Sequence, residues 1–316
     1  MEQLRKADLE READAFDAAA FATPGIDPYC SCTDWILPSH AAWGTGDVEF
    51  LRGDHGYAAF QRYPMPRGGR AWIGLDPSWG FACPVVGPDP GPLASEVADA
   101  LRARTDWDLC LLSGIVPGSA LHEALLETAR DPHGPVARRW IASLDGGMDA
   151  YLARRSPKHR ENVRRARRRA VEAGIAVEPW TGGALDDLFR RILDVERRSW
   201  KGATRTGLLG PEMLSFYRAA AERTAPKGRL RALFARAEGE DVGYILGGVR
   251  DGTYRGFQFS FDRRFESVSL GTVLQAAQIE ALCDEGVAAY DLGTDMDYKR
   301  HWADEPMDTI TLVLAR

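Results

Sequence analysis

Three consecutive residues near the C-terminus, Asp297, Tyr298 and Lys299, place a carboxylate, a phenol and an ammonium group side by side. A carboxylate can take a proton from an amine, directly or through water, and a phenol can return one to a leaving group. An ammonium can hold a phosphate or a developing oxyanion. The three lie in DLGTDMDYKRHW (291–302), after an apolar lead, GVAAYDLG, that reads as a strand. They therefore stand where a strand ends. The same residues admit a packing role, with Tyr298 and Trp302 against a sheet edge and Lys299 on strand or helix carbonyls.

A second group lies upstream. Ser267, Ser269, Gly271 and Thr272 precede and open a predicted helix, with Arg263 and Arg264 just before them. Small residues let a phosphate approach the backbone, and a helix N-terminus adds unpaired N–H groups and the positive end of its dipole. The alternative is that Ser and Gly here only cap the helix. The corresponding stretch of the first half, VVGPDPGP (85–92), has three prolines without N–H and a negative Asp89, so that copy is not expected to hold a phosphate.

A third group is Glu196, Ser199, Trp200 and Lys201. The stretch LFRRILDVERRSW has helical spacing, with Leu188, Ile192 and Val195 on one side, which makes Glu196 and Trp200 neighbours one turn apart. In a functional role Trp200 walls an acceptor pocket and Glu196 binds or deprotonates an amine. In a structural role Trp200 is core and Glu196 pairs with Lys201 or with neighbours of Arg197. His159 and His301 are lone histidines without metal-ligand spacing and read as surface residues.

Charge singles out one more stretch. Residues 151–174 carry nine Lys or Arg against Glu161 and Glu172, a local +7 in a chain of net charge −6. Ser156 is a plausible N-cap, Pro157 a first helical residue and Gly174 a stop, so the stretch reads as a helix of about five turns. Val163, Ala166 and Ala170 form a thin apolar seam, while Arg160, Arg164, Arg167 and Arg168 line another face. Those arginines either solvate the helix or contact a polyanion, a nucleotide diphosphate or tRNA.

These groups need a scaffold, and 316 residues, 45% of them hydrophobic, suffice for two ordinary domains. On either side of the basic helix the chain repeats itself weakly. The second half reads as strands about an Asp251-Gly252 turn, with Phe257, Phe259 and Phe261 alternating with Gln258 and Ser260, then a helix and a strand. The first half offers GYAAFQRYPM and RAWIGLDPSWGFACPVV as strands, GPLASEVADALRART as a helix and WDLCLLSGI as a strand. The N-terminal residues are charged without an apolar core, and no apolar run is long enough to span a bilayer, so a cytoplasmic location is expected. The five cysteines lack C-x-x-C spacing and read as buried thiols, with Cys30 and Cys32 as the reactive candidates. The sequence holds no G-x-S-x-G elbow, P-loop or Cys/His metal array, which leaves hydrolase, P-loop and zinc mechanisms without support and predicts no metal.

A hairpin, a phosphate-type loop opening a helix, and a strand ending in YDLG resemble the cofactor core of the GNAT acyltransferase superfamily. The order SPKHRENVRRARRR, ERRSWK and YDLGTDMDYKRHW resembles its FemAB-like branch, which includes the CelD-type (cellulose biosynthesis) acetyltransferases and the aminoacyl-tRNA-dependent transferases of peptidoglycan. The resemblance covers residues 140–302. It implies an α/β (α+β) tandem GNAT fold, two mixed-sheet units joined by a basic helix. The implied ranges are 1–145 for a degenerate N-terminal domain, 146–175 for the helix and 176–316 for the domain with the donor site.

What the resemblance implies is an N-acyltransferase moving an acyl group from acyl-coenzyme A (acetyl-coenzyme A) to an amine of a small-molecule or peptide acceptor. Its pyrophosphate loop maps onto Arg264 to Thr272, with Arg263 alongside, although Ser267 stands where the superfamily has its first Gly. Asp297 and Glu196 are then the candidate bases, Tyr298 the acid, Lys299 a phosphate or oxyanion contact, and Trp200 and Lys201 the acceptor's neighbours. The alternative donor is an aminoacyl-tRNA held through Arg160, Arg164, Arg167 and Arg168. A nucleic-acid-binding module built on the basic helix is the non-enzyme alternative.

Overall fold

In the computed structural model, which describes residues 1–65, 68–127, 134–204 and 207–316, the chain opens with strand β1 (Glu2–Leu4) and helices α1 (Lys6–Arg11), α2 (Ala13–Ala22), α3 (Pro28–Ser31) and α4 (Thr33–Trp43). Strands β2 (Val48–Arg52), β3 (Tyr57–Pro64), β4 (Arg70–Gly74) and β5 (Val85–Val86) follow, then α5 (Pro90–Arg102), β6 (Leu109–Ile115) and α6 (Ala120–Leu126). Residues Met1–Arg138 form one unit together with Met307–Arg316, and Arg139–Pro306 form another.

In the first unit β1, β2, β3 and β4 pair antiparallel in turn, β4 pairs parallel with β6, and the last strand of the chain, β13 (Glu305–Ala315), pairs antiparallel with β6, Leu312 opposite Leu112. Helix α5 buries Leu93, Val97 and Leu101, the stripe its spacing predicts. The stretch RAWIGLDPSWGFACPVV is strand only at its ends. Its middle is a loop folded around the buried Asp76 carboxylate, which accepts from Trp35 Nε1 (3.3 Å), Ser39 Oγ (3.2 Å) and the amides of Trp79 and Phe81. Burial raises the Asp76 pKa.

The second unit contains most of β7 (Val136–Ser143), then α7 (Gly147–Ala153), α8 (Pro157–Glu172), β8 (Ala176–Pro179), α9 (Leu185–Arg198), α10 (Trp200–Thr204) and α11 (Pro211–Thr224). After these come β9 (Leu230–Ala237), β10 (Glu240–Arg250), β11 (Thr253–Phe261), α12 (Leu270–Asp284) and β12 (Ala289–Thr294). The strand order is β7, β12, β11, β10, β9, β8, and only β11 and β12 run parallel. Asp251 and Gly252 make the predicted two-residue turn, both at positive φ (48° and 71°).

The basic helix forms as its sequence predicts. The Ser156 side chain accepts from the His159 amide at 3.2 Å, and Gly174 follows the helix at φ 65°. Val163, Ala166 and Ala170 are buried, and the helix packs on α12 inside the second unit. The limits of the two units, at 138/139 and 306/307, thus lie away from the expected domain boundaries at 145/146 and 175/176. His159 is buried rather than at the surface, edge-on to Trp302 at 4.6 Å, and its pKa is lowered to about 4 by burial and then by Arg155. His301 is exposed. Trp302 is core, as the packing alternative held, with its carbonyl accepting from the Tyr151 hydroxyl at 2.8 Å.

Candidate active site

Strands β11 and β12 pair only from Thr253–Arg255 to Ala289–Asp291, and then they part. At the last paired position Arg255 and Asp291 form an ion pair of 2.6 Å. Asp291 also accepts from Arg139 Nη1 (2.8 Å) and the Gly293 amide (2.8 Å), and all three charged groups are buried. Such a cluster holds because buried charges of opposite sign are paired with one another. Beyond it β11 runs on to Phe261 and β12 to Thr294, which leaves a gap between two strands of one sheet.

One face of the β10–β11 hairpin meets α9. Tyr244 lies opposite Ser260 in the register, and its hydroxyl donates to Glu196 Oε1 at 2.8 Å. Glu196 is 0% exposed and also receives the Leu208 amide (3.4 Å), while Ser199 Oγ lies 3.1 Å from its Oε2. Its partners are neither Lys201 nor neighbours of Arg197, as the structural alternative had it, but a tyrosine, a serine and an amide. The expected one-turn relation to Trp200 also fails. Helix α9 stops at Arg198, Ser199 turns extended (ψ 171°), and its hydroxyl accepts from the amides of Lys201 and Gly202 to start α10. Trp200 is therefore 50% exposed instead of core. Lys201 turns inward, its Nζ donating to Gln258 Oε1 (2.6 Å) and to the Phe259 carbonyl (2.8 Å), and burial lowers its pKa.

Lys299 stands across the gap. It is 7% exposed, its Nζ donates to the Thr294 carbonyl at 2.9 Å, and burial, then Arg255 beside it, pull its pKa from 10.5 to about 8. Gly293, at φ 84°, keeps the approach to this ammonium open: a Cβ there would lie 3.5 Å from Nζ and 3.8 Å from Arg255 Nη2. Tyr298 is 37% exposed, its ring edge-on to Phe259 at 6.0 Å, and burial pushes its hydroxyl pKa well up. That hydroxyl has no hydrogen-bond partner among the described residues. Asp297 faces away, its side chain 98% exposed beside Arg300 at 3.7 Å, so the structure does not bring it to Tyr298 and Lys299 as a neighbour in the gap.

The opposite face of the hairpin meets α12. A Cβ on Gly271 would lie 3.0 Å from the Phe261 ring and 3.3 Å from the Phe259 ring, so this glycine lets the helix start close to the strand. Ser269 precedes the helix at φ 61°, and the amides of Leu270 and Gly271 donate to nothing among the described residues. The Ser267, Ser269 and Thr272 hydroxyls are likewise unbonded there, and exposed Arg263 has no ion pair among the described residues. These groups fit an anion at a helix N-terminus. Arg264 does not join them: Asp262 at 2.8 Å and Glu240 at 3.4 Å hold it. Arg169 comes in its place, donating from α8 to the Ser267 carbonyl at 3.2 Å.

The four expected polyanion contacts divide. Arg160 donates to the Arg155 carbonyl and Arg167 pairs with Glu280 at 2.9 Å, whereas Arg164 and Arg168 share only exposed Glu161 and remain in solvent. In the first unit Cys30 and Cys32 are fully buried, against a reactive role. The ligand atoms of Asp17, Cys32 and Asp34 lie within 4.8 Å of one another and could hold a metal ion. Two of them already serve the backbone, Asp17 accepting the Thr33 amide (2.6 Å) and Cys32 donating to the Tyr29 carbonyl (3.0 Å).

Sequence reasoning missed Arg139, Arg255 and Asp291. One signal existed: a charged residue inside the strand patterns VARRWIAS, TYRGFQFSF and AYDLGT breaks their alternation, and a charge placed there must be paired.

Residues 157–300 match the family model of the acetyltransferase (GNAT) domain. No curated protein sequence matches the chain. Among solved structures, FemX superposes with a TM-score of 0.67 at 11% identity, covering 98% of this chain and 96% of that one. A conserved protein of unknown function from Bacteroides thetaiotaomicron gives 0.63 at 14% (96% and 97%), and L-PGS from Bacillus licheniformis 0.58 at 13% (93% and 93%). At such identities these likenesses speak for the fold. The match to the acetyltransferase (GNAT) domain spans the strands, the gap and the helix N-terminus just described, and the chain around it has a FemX-like fold.

Proposed function

We propose that the protein is an N-acyltransferase that moves an acyl group from acyl-coenzyme A to an amine of a small-molecule or peptide acceptor by direct attack. The observation that carries this reading is Lys299: a buried ammonium that, among the described residues, has no carboxylate in ion-pair distance and two unused N–H donors, where β11 and β12 part. A buried donor of that kind at the edge of the gap stabilises negative charge developing on an acyl oxygen. The free amides of Leu270 and Gly271, the three hydroxyls, Arg263 and Arg169 would hold the donor's pyrophosphate. Coenzyme A supplies, when bound, an activated thioester.

The acceptor nitrogen attacks the acyl carbon, and the carbon–sulfur bond breaks. Lys299 holds the oxyanion, and Tyr298, whose hydroxyl keeps its proton at neutral pH, returns one to the leaving thiolate. The proton released by the amine leaves through water toward Asp297 at the solvent edge. Glu196 fixes Tyr244 and the start of α10 from its buried position. The test uses radiolabelled acetyl-coenzyme A and charged tRNA, asking which is retained and which label reaches an amine. Lys299→Met is expected to retain the donor and lose turnover by about 10² or more. Wild-type turnover in that variant would overturn the reading.

A second reading, transfer from an aminoacyl-tRNA, is favoured by one feature: Arg169 brings the basic helix against the same helix N-terminus, and the same helix carries Arg164 and Arg168 in solvent, paired with exposed Glu161. In that case donor affinity falls steeply with salt, and the slope becomes shallower when Arg164 and Arg168 are changed to Gln. Retention of acetyl-coenzyme A with little salt dependence decides against it.

A further inference from the structure

Lys201 and Lys299 are anchored on the two strands that diverge, one residue apart in depth. Counting from the last paired residues, Arg255 and Asp291, the Phe259 carbonyl that takes Lys201 and the Thr294 carbonyl that takes Lys299 lie four and three residues on. The two ammonium groups thus flank the gap from either lip. Neither has a carboxylate within ion-pair distance among the described residues. Lys201 uses two of its three N–H donors and Lys299 one, so three remain.

The carboxylates nearby are already satisfied. Asp291 is held by Arg139, Arg255 and the Gly293 amide, and Glu196 by Tyr244, Ser199 and the Leu208 amide. Asp295 accepts from Trp140 Nε1 at 2.6 Å and pairs with Arg300 at 3.5 Å. Lys201 and Lys299 are thus left without a carboxylate of their own among the described residues, and burial first, then the charges of Arg255 and Lys201, lower the Lys299 pKa. Leaving cations buried in excess is costly unless an anion joins them.

One ammonium suffices for a transient oxyanion; the second needs another purpose. We propose that Lys201 is a binding residue for a permanent anionic group, of carboxylate size, on the acceptor, so that the acceptor class is amines that carry a carboxylate close to the reacting nitrogen. This rests on the acyl-transfer reading for the word acceptor, while the anion site itself does not.

The experiment titrates acetate and inorganic phosphate into the full chain without any donor, by calorimetry, in wild type, Lys201→Met and Lys201→Arg, with circular dichroism as the fold control. Acetate is expected to saturate one site, to bind about tenfold or more weakly to Lys201→Met, and to bind Lys201→Arg nearly as well as wild type. Absence of saturable acetate binding in the wild type, or equal affinity in Lys201→Met, overturns the proposal, and tighter binding of phosphate than acetate overturns the carboxylate assignment. A second arm compares each α-amino acid with its carboxamide as acceptor. Equal kcat/KM for the pair sinks the site but leaves acyl transfer standing. Acetate binding that depends on Lys201, in a chain that transfers no acyl group from any donor, keeps the site and sinks the acyl-transfer reading.

Discussion

Arg255 Nη1 lies 2.6 Å from Asp291 Oδ2 at the last position where β11 and β12 are paired. The ion pair therefore fixes where the gap begins, and with Arg139 on the same carboxylate oxygen it ties β7, β12 and β11 together. Replacing Asp291 by Asn leaves two buried guanidinium groups facing a neutral amide. Stability is expected to fall by about 3 kcal/mol, the usual scale for breaking a buried pair. Denaturant unfolding of Asp291→Asn against wild type measures it; a change within error would show that the cluster does not hold the strands.

Lys299 makes activity and stability depend on pH in opposite directions. Its ammonium is required for the oxyanion, so kcat is expected to decline as pH rises through about 8. Between about 8 and 10.5 the unfolded chain keeps a proton that the folded one has lost, so this residue makes stability rise with pH over that window. The profiles of kcat and of unfolding free energy in wild type, with unfolding of Lys299→Met as reference, test both signs. A wild-type stability curve parallel to that of the variant would remove the shifted lysine from the account.

Changing Gly271 to Leu does not isolate the anion site, because the new side chain meets Phe261 and Phe259 first. Ser269→Gly does. It removes one unbonded hydroxyl and relieves a left-handed residue at φ 61°, so stability is expected to rise by about 0.5 to 1 kcal/mol while donor affinity drops severalfold. Thermal melting and equilibrium binding of coenzyme A read the two effects separately. Stabilisation without weaker binding would take the hydroxyl out of the donor site.

Tyr298→Phe keeps the ring against Phe259 and removes only the proton donor. Turnover is expected to fall by about 10², with donor affinity and melting temperature nearly unchanged. Full turnover across the pH range would return Tyr298 to packing.

The parts legible in the sequence are those written in neighbouring residues. Ser156, Pro157 and Gly174 delimit α8, and Asp251-Gly252 sets the hairpin. What escaped depends on distant partners. Arg139 and Asp291 are 152 positions apart, and nothing local tells which charge each will meet. Glu196 and Trp200 were misplaced by a single hydroxyl, that of Ser199, which ends one helix and begins another where periodicity alone runs straight through. At Gly271 the sequence shows a close approach but not that aromatic rings of the same chain, Phe261 and Phe259, lie where a side chain would go.

The return of Met307–Arg316 to the first unit has a consequence for biosynthesis. The strand that faces β6 leaves the ribosome about two hundred positions after its partner, since Leu312 pairs with Leu112. The second unit, Arg139–Pro306, is complete before that strand appears, so it can fold while the first still has a bare sheet edge. Nascent chains stalled short of residue 307 should then show protease-resistant β9 to β12 with β6 still open, and the long loop closure makes docking of β13 the slow step of maturation.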